Sequence, residues 1–113
     1  MNITKGFKYY TIYQNRISIS TVTSESFIDP DDPDHPRVHT KSSTGREYNK
    51  RISFIEYSFR TASSVTGPFL TFDEAVSALH KSLEQDLDIL EKKIVNKRKQ
   101  IDNFIANPEL FIK

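Results

Sequence analysis

The chain has 113 residues with eight Phe and five Tyr, no cysteine and a formal net charge of +1. This length predicts one domain over residues 1–113. The absence of cysteine excludes a disulfide framework, a thiolate zinc site and a cysteine nucleophile. The nearly neutral charge gives no overall bias towards nucleic acid or an anionic membrane. No stretch approaches membrane-spanning length and the first ten residues have no apolar run of signal-peptide type, so we expect a cytoplasmic protein with no membrane partner.

The first predicted element is a β-hairpin near the N-terminus. Residues 7–14, FKYYTIYQ, are aromatic and β-branched, and residues 17–23, ISISTVT, alternate apolar with polar side chains. Between them lies the short polar break Gln14-Asn15-Arg16, in which Asn15 can adopt a positive φ. Two such segments across a tight break are typical of a β-hairpin.

The next segment, 24–46, is rich in Ser, Thr, Asp, Pro and charged residues and is predicted to be a mobile loop between strands. Within it, DPDDPDHPRVH at 29–39 contains side chains that could bind a hard cation. Its three prolines favour an extended chain that splays these side chains apart, so we expect no metal site and no cofactor. The candidate ligands are Asp29, Asp31, Asp32, Asp34, His35 and His39.

A second β region is predicted over 48–60, YNKRISFIEYSFR. Its apolar alternation changes face between Phe54 and Ile55, which indicates either a bulge or a strand buried on both sides. Residues 62–66, ASSVT, extend this strand or form a short additional one.

A long helix is predicted over 72–106. Thr71 and Glu74 have the capping-box spacing, no Gly or Pro interrupts the segment, and Pro108 follows as a stop signal. The order of elements predicts an α+β fold, in which a small antiparallel β-meander of three or four strands, within 7–66, packs against one long C-terminal helix. Residues 107–113 are predicted to be a tail.

The sequence offers little material for catalysis. The chain has only three glycines, too few for a phosphate-binding loop, and it lacks the G-x-S-x-G sequence of a nucleophile elbow. His80 and Glu84 could form an acid–base pair on the helix, but His80 also falls in its apolar pattern. We therefore expect that the protein is not an enzyme.

Nucleic-acid binding is the alternative function. Aromatic and basic side chains mix in the first hairpin, as they do in sheets that stack on bases. The helix carries a basic segment that could contact phosphates. However, aromatic residues are also needed for the hydrophobic core, and the helix dipole favours positively charged side chains towards the C-terminal end of a helix. The candidate contacts are Lys92, Lys93, Lys97, Arg98 and Lys99.

The helix carries an apolar stripe at heptad spacing. With d at Val76 and a at His80, seven of the nine a and d positions to Phe104 are apolar, a pattern with coiled-coil character. The helix would be about 50 Å long, whereas strands of eight residues span about 26 Å. The first half is expected to pack on the sheet, and the second half needs a partner unless the chain folds back near Asn96. The predicted protein-interface residues are Leu83, Leu87, Leu90, Ile94, Ile101 and Phe104.

Charge favours an antiparallel pairing of this stripe. Residues 73–91 carry six acidic residues against Lys81 alone, whereas residues 92–106 carry five basic residues against Asp102 alone. In an antiparallel pair centred near Leu90, the acidic half of one helix lies beside the basic half of the other. We therefore predict an antiparallel homodimer and a binding or regulatory role, as an adaptor or inhibitor of an unidentified protein target.

Two resemblances to known proteins remain, one over a short segment and one in composition. Residues 67–79, GPFLTFDEAVSAL, resemble the strand-to-helix turn of several unrelated domains, including SPOR and WGR modules. Turn and capping chemistry explain this similarity, so it implies no function. The composition of the whole chain resembles that of small accessory proteins of phages and mobile elements.

Overall fold

A computed structural model of the protein describes residues 1–112. It contains a five-stranded antiparallel sheet and a long C-terminal helix, which confirms the predicted α+β class. The elements in chain order are β1 (Lys8–Tyr13), β2 (Arg16–Val22), β3 (Phe27–Asp29), β4 (Asp32–Ser42), β5 (Glu47–Arg51), α1 (Ile52–Arg60), α2 (Phe72–Ala106) and a 3-10 turn (Pro108–Phe111).

The long strand β4 lies at the centre of the sheet. Its residues Thr40 and Lys41 pair with β2 on one side and with β5 on the other. Arg37 likewise pairs with β3 on one side and with β5 on the other. Strands β2 and β3 therefore lie end to end along the same side of β4, and the chain follows a meander.

The first hairpin is confirmed. Strands β1 and β2 pair in continuous register from Lys8 opposite Thr21 to Tyr13 opposite Arg16. The two turn residues, Gln14 and Asn15, have φ angles of 51° and 59°. Positive φ at both central positions is the geometry of the two-residue turn whose twist matches that of the strands.

The prediction of a loop over 24–46 is wrong for most of that segment, since it contains all of β3 and β4. A tight turn at Pro30 and Asp31 joins the two strands, and Asp31 donates its backbone N–H to the Asp29 carboxylate. Proline is tolerated because positions 32–36 pair only with β3, so the missing N–H groups can lie on the unpaired side. The strand also supplies Val38, which is completely buried.

The predicted β region over 48–60 is correct only as far as Arg51, the end of β5, since residues 52–60 form helix α1. Ile52, Ile55 and Phe59 follow a spacing of three and four residues, so they share one face of the helix. Ile55 is 1% exposed and lies in the main core, against which Ile52 and Phe59 pack. The other buried core residues are Ile3, Tyr9, Val22 and Val38.

Residues 66–69 cover the outer edge of β1. The backbones of Tyr10 and Phe69 exchange two hydrogen bonds, of 2.9 and 2.7 Å, and Ile12 donates its N–H to the carbonyl of Thr66. Gly67 permits this approach, because it has a φ of 85° and a Cβ there would lie 2.9 Å from the Tyr10 carbonyl oxygen. The covered edge leads directly into α2, whose Phe72 ring packs 5.9 Å from that of Tyr10.

Helix α2 runs without interruption from Phe72 to Ala106, so the predicted alternative of a fold-back near Asn96 is wrong. At its start, Thr71 Oγ1 accepts the backbone N–H of Glu74 and donates to the Glu74 carboxylate. These two hydrogen bonds confirm the predicted start of the helix. The Glu74 carboxylate bonds to the Thr71 hydroxyl.

The chain divides into two compact units, residues 1–80 and residues 81–113. The first holds the sheet, α1 and the first turns of α2, and the second holds the remainder of α2 and the 3-10 turn. Over residues 1–112, none of the helices combines the length and the apolar character needed to cross a membrane.

Candidate protein-interaction surface

The predicted interface residues of α2 are all exposed. Each keeps between 44% and 56% of its surface accessible, whereas the core residues keep less than 9%. Because the helix is continuous, the heptad spacing places them along one side for about 31 Å. These six residues, hereafter the apolar stripe, are Leu83, Leu87, Leu90, Ile94, Ile101 and Phe104.

The first turns of α2 bury a different face from the one that the heptad pattern predicted. Ala75 is completely buried and Ala78 and Leu79 are half-buried, whereas Val76 remains 42% exposed. The small side chain of Ala75 permits closer packing of the helix than the larger side chain of Val76 would. The first turns of the helix therefore pack through Ala75, and Val76, a d position of the heptad pattern, is exposed instead of buried.

The basic segment of α2 is distributed around the helix. At 100° per residue, Lys92 and Lys99 point in similar directions, Lys93 and Lys97 share a second direction, and Arg98 points in a third. Lys92 also forms an ion pair with Asp88 at 3.1 Å, and Lys97 donates to the side chain of Gln100. A helix that contacts nucleic acid commonly collects its basic residues on one face, whereas these five residues lie in three directions roughly 120° apart.

The aromatic residues of the first hairpin are mostly engaged inside the fold. Tyr9 is buried, and its ring contacts those of Phe7 and Phe59 at 6.2 and 5.9 Å. The Tyr10 ring packs against Phe72. Of the aromatic residues on β1, Tyr13 alone is largely exposed, which leaves one ring on this strand for stacking on a base.

A polar cluster on the sheet surrounds Asp32, one of the candidate metal ligands. Its Oδ1 accepts a hydrogen bond from His35 Nδ1 at 2.7 Å, and its Oδ2 accepts from Arg37 Nη2 and Arg51 Nε, both at 2.8 Å. Arg37 and Arg51 lie opposite each other on β4 and β5. Like charges in that arrangement repel, so the carboxylate of Asp32 neutralises a cross-strand pair of arginines.

These contacts determine what the Asp32 carboxylate can do. The hydrogen bond from His35, followed by those from the two guanidinium groups, lowers the pKa of Asp32 to about 2. The neighbouring positive charges also oppose a bound cation. Over residues 1–112, no group of three or more Asp, Glu or His side chains is arranged to hold a metal ion. The Asp32 cluster therefore connects β4 to β5, and its arginine partners were missed because the sequence does not reveal strand register.

The remaining candidate residues lie apart from this cluster. His39 stacks on Phe27 with ring centroids 4.5 Å apart, while Asp29 accepts the N–H of Asp31. His80 and Glu84 lie one turn apart on the exposed surface of α2.

No protein-family model, curated protein or solved structure significantly matches this chain.

Proposed function

We propose that the protein is a small binding protein, an adaptor or inhibitor of another macromolecule, that pairs with a second copy through the apolar stripe in antiparallel orientation. The observation that carries the proposal is the exposure of six large apolar side chains along one side of a continuous helix. Exposed apolar patches of this extent are typical of protein–protein contact sites. Their spacing is the one that helices use to pack against each other.

Two further features support self-pairing. The helix does not fold back, so its own second half does not cover the stripe. The charges change sign near Leu90, from six acidic residues over 73–91 to five basic residues over 92–106. In an antiparallel pair this arrangement places Asp86 near Lys93 of the other copy, whereas a parallel pair places like charges together.

The energetic terms have different roles. An exposed ion pair contributes about 0.3–0.5 kcal/mol, which favours one orientation over the other. Complete burial of a leucine contributes about 1.5–3 kcal/mol. Affinity therefore depends on Leu87, Leu90 and Ile94 at the centre of the stripe, and charge determines direction.

The test is the oligomeric state of a matched pair of variants. The parent is expected to be a dimer at tens of micromolar by size-exclusion chromatography with light scattering. Leu90→Asp places two carboxylates at the centre of the pair, and we expect the dimer Kd to rise by about 100-fold or more. Ile89→Asp makes the same kind of change at a residue equally exposed but outside the stripe, and should leave the dimer intact.

Circular dichroism on the same samples keeps the result interpretable, because it reports whether α2 is still helical. A parent that is monomeric at this concentration with its helix intact would show that self-pairing is wrong. A dimer that Ile89→Asp and Leu90→Asp weaken equally would show that the stripe is not the contact surface.

A further inference from the structure

A second apolar cluster lies at the C-terminal end of α2. The 3-10 turn Pro108–Phe111 brings the Phe111 ring to 5.5 Å from that of Phe104, in an edge-to-face contact. Ile105, Leu110 and Ile112, which are adjacent to these two residues in the sequence, are each more than 70% exposed. These five residues, hereafter the apolar tip, extend the end of the stripe into a broader surface.

A complementary surface lies at the start of the same helix. Leu70, Phe72 and Val76, hereafter the apolar shoulder, each keep between 42% and 51% of their surface exposed. The shoulder is fixed in place, since Phe69 is hydrogen-bonded to β1 and Phe72 packs against Tyr10. A rigid, half-exposed apolar surface loses little entropy when it is covered.

The positions of tip and shoulder along α2 match in an antiparallel pair. Phe104 lies fourteen residues after Leu90, and Val76 lies fourteen residues before it. A pair centred at Leu90 therefore places Phe104 of one copy opposite Val76 of the other, each about 21 Å from the centre. Both occupy d positions of the heptad pattern, so both face the partner.

We infer that the apolar tip of each copy docks on the apolar shoulder of the other, so that the contact extends beyond the paired helices. The occupant of the shoulder is a second copy of this chain, because the same charge pattern that favours antiparallel pairing brings the tip there. The two-fold symmetry of such a pair forms the contact twice. This inference rests on the proposed self-pairing, and the experiments below separate the two.

Cross-linking tests the contact directly, because the natural chain has no cysteine. A Leu70→Cys chain is mixed with a Leu110→Cys chain and treated with a short bismaleimide. The mixture should give a covalent dimer, and each variant alone should give much less. Since each chain carries one thiol, every such link joins two chains.

A mixture of Leu87→Cys and Ile94→Cys chains serves as the central control. If the central control cross-links but positions 70 and 110 do not, the inference of a tip contact is overturned and the antiparallel dimer is retained. Absence of both would overturn the dimer itself. Efficient linking of the Leu110→Cys chain to itself would indicate parallel helices and overturn the tip contact.

A second measurement uses affinity. The double substitution Leu110→Ser with Phe111→Ser should raise the dimer Kd by about tenfold or more, while Ile89→Ser should leave it unchanged. An unchanged Kd in the double variant, with its helix content preserved, would overturn the inference.

Discussion

The same kinds of side chain have opposite environments in the two units of this chain. In residues 1–80, Val22, Val38 and Ile55 keep at most 1% of their surface exposed. Beyond residue 80, Leu87 and Leu90 keep more than half of theirs. Burial of apolar surface stabilises a fold only where the folded chain covers it. The first group therefore stabilises the monomer, and the second is available for association.

The largest expected effect is on the free energy of unfolding, when a buried core residue of the first unit is changed. Ile55→Ala removes a side chain from the centre of the core and leaves a cavity, so we expect a loss of about 2–5 kcal/mol in the free energy of unfolding. Ile89→Ala is the matched change on α2 and should shift this free energy by no more than about 0.5 kcal/mol. Urea denaturation measures both. Similar losses in the two variants would mean that the exposed helix contributes to the stability of the fold.

The next effect concerns the segment that leads from the sheet into α2. Gly67→Ala forces a side chain onto a residue with a φ of 85°, 2.9 Å from the Tyr10 carbonyl and 2.7 Å from the Phe69 ring. We expect a loss of about 1–3 kcal/mol. At Gly45, φ is 88° but no atom lies within 4 Å of the added Cβ, so Gly45→Ala should cost less. Equal losses in thermal or urea unfolding would show that close approach to β1 is not the cause.

The smallest effect concerns the Asp32 cluster and depends on pH. The pKa of Asp32 falls to about 2 in the folded protein, from an ordinary value of 3.8. A lowered carboxyl pKa contributes stability that is fully present above pH 3.8 and is lost as the pH falls towards 2. Asp32→Asn should therefore lower the melting temperature at pH 7, with a difference from the parent that shrinks between pH 4 and pH 2.

The control for this prediction is Asp34→Asn, which removes a carboxylate from an exposed position of the same strand. Its difference from the parent should be smaller at pH 7. A melting-temperature difference for Asp32→Asn that stays constant down to pH 2 would contradict the proposed role of the ionised carboxylate.

Local signals predicted several elements correctly because their causes are local. The first hairpin turn depends on Asn15, which tolerates positive φ, and the start of α2 depends on Thr71 and Glu74. The C-terminal end of α2 depends on Pro108. Each requires only neighbouring residues, and each agrees with the structure.

Helix α1 was missed although its signal was present in the sequence. The change of face at Phe54–Ile55 is compatible with a bulge or with a strand buried on both sides. It arises because Ile52, Ile55 and Phe59 have the three- and four-residue spacing of one helix face. Aromatic and β-branched residues favour strands by propensity, but packing of this face against the core outweighs that preference.

What the sequence determined by itself was the α+β class, the first hairpin and the extent of the long helix, because turn, capping and periodicity signals act over a few residues. Only the tertiary structure decided that 32–42 is the central strand, that Arg37 and Arg51 meet at Asp32, and that α2 packs through Ala75 and leaves Val76 exposed. These features depend on strand register and on which face of the helix is buried. Strand register and the buried helix face are both set by contacts between residues distant in the chain. A local sequence pattern does not encode the energies of those contacts.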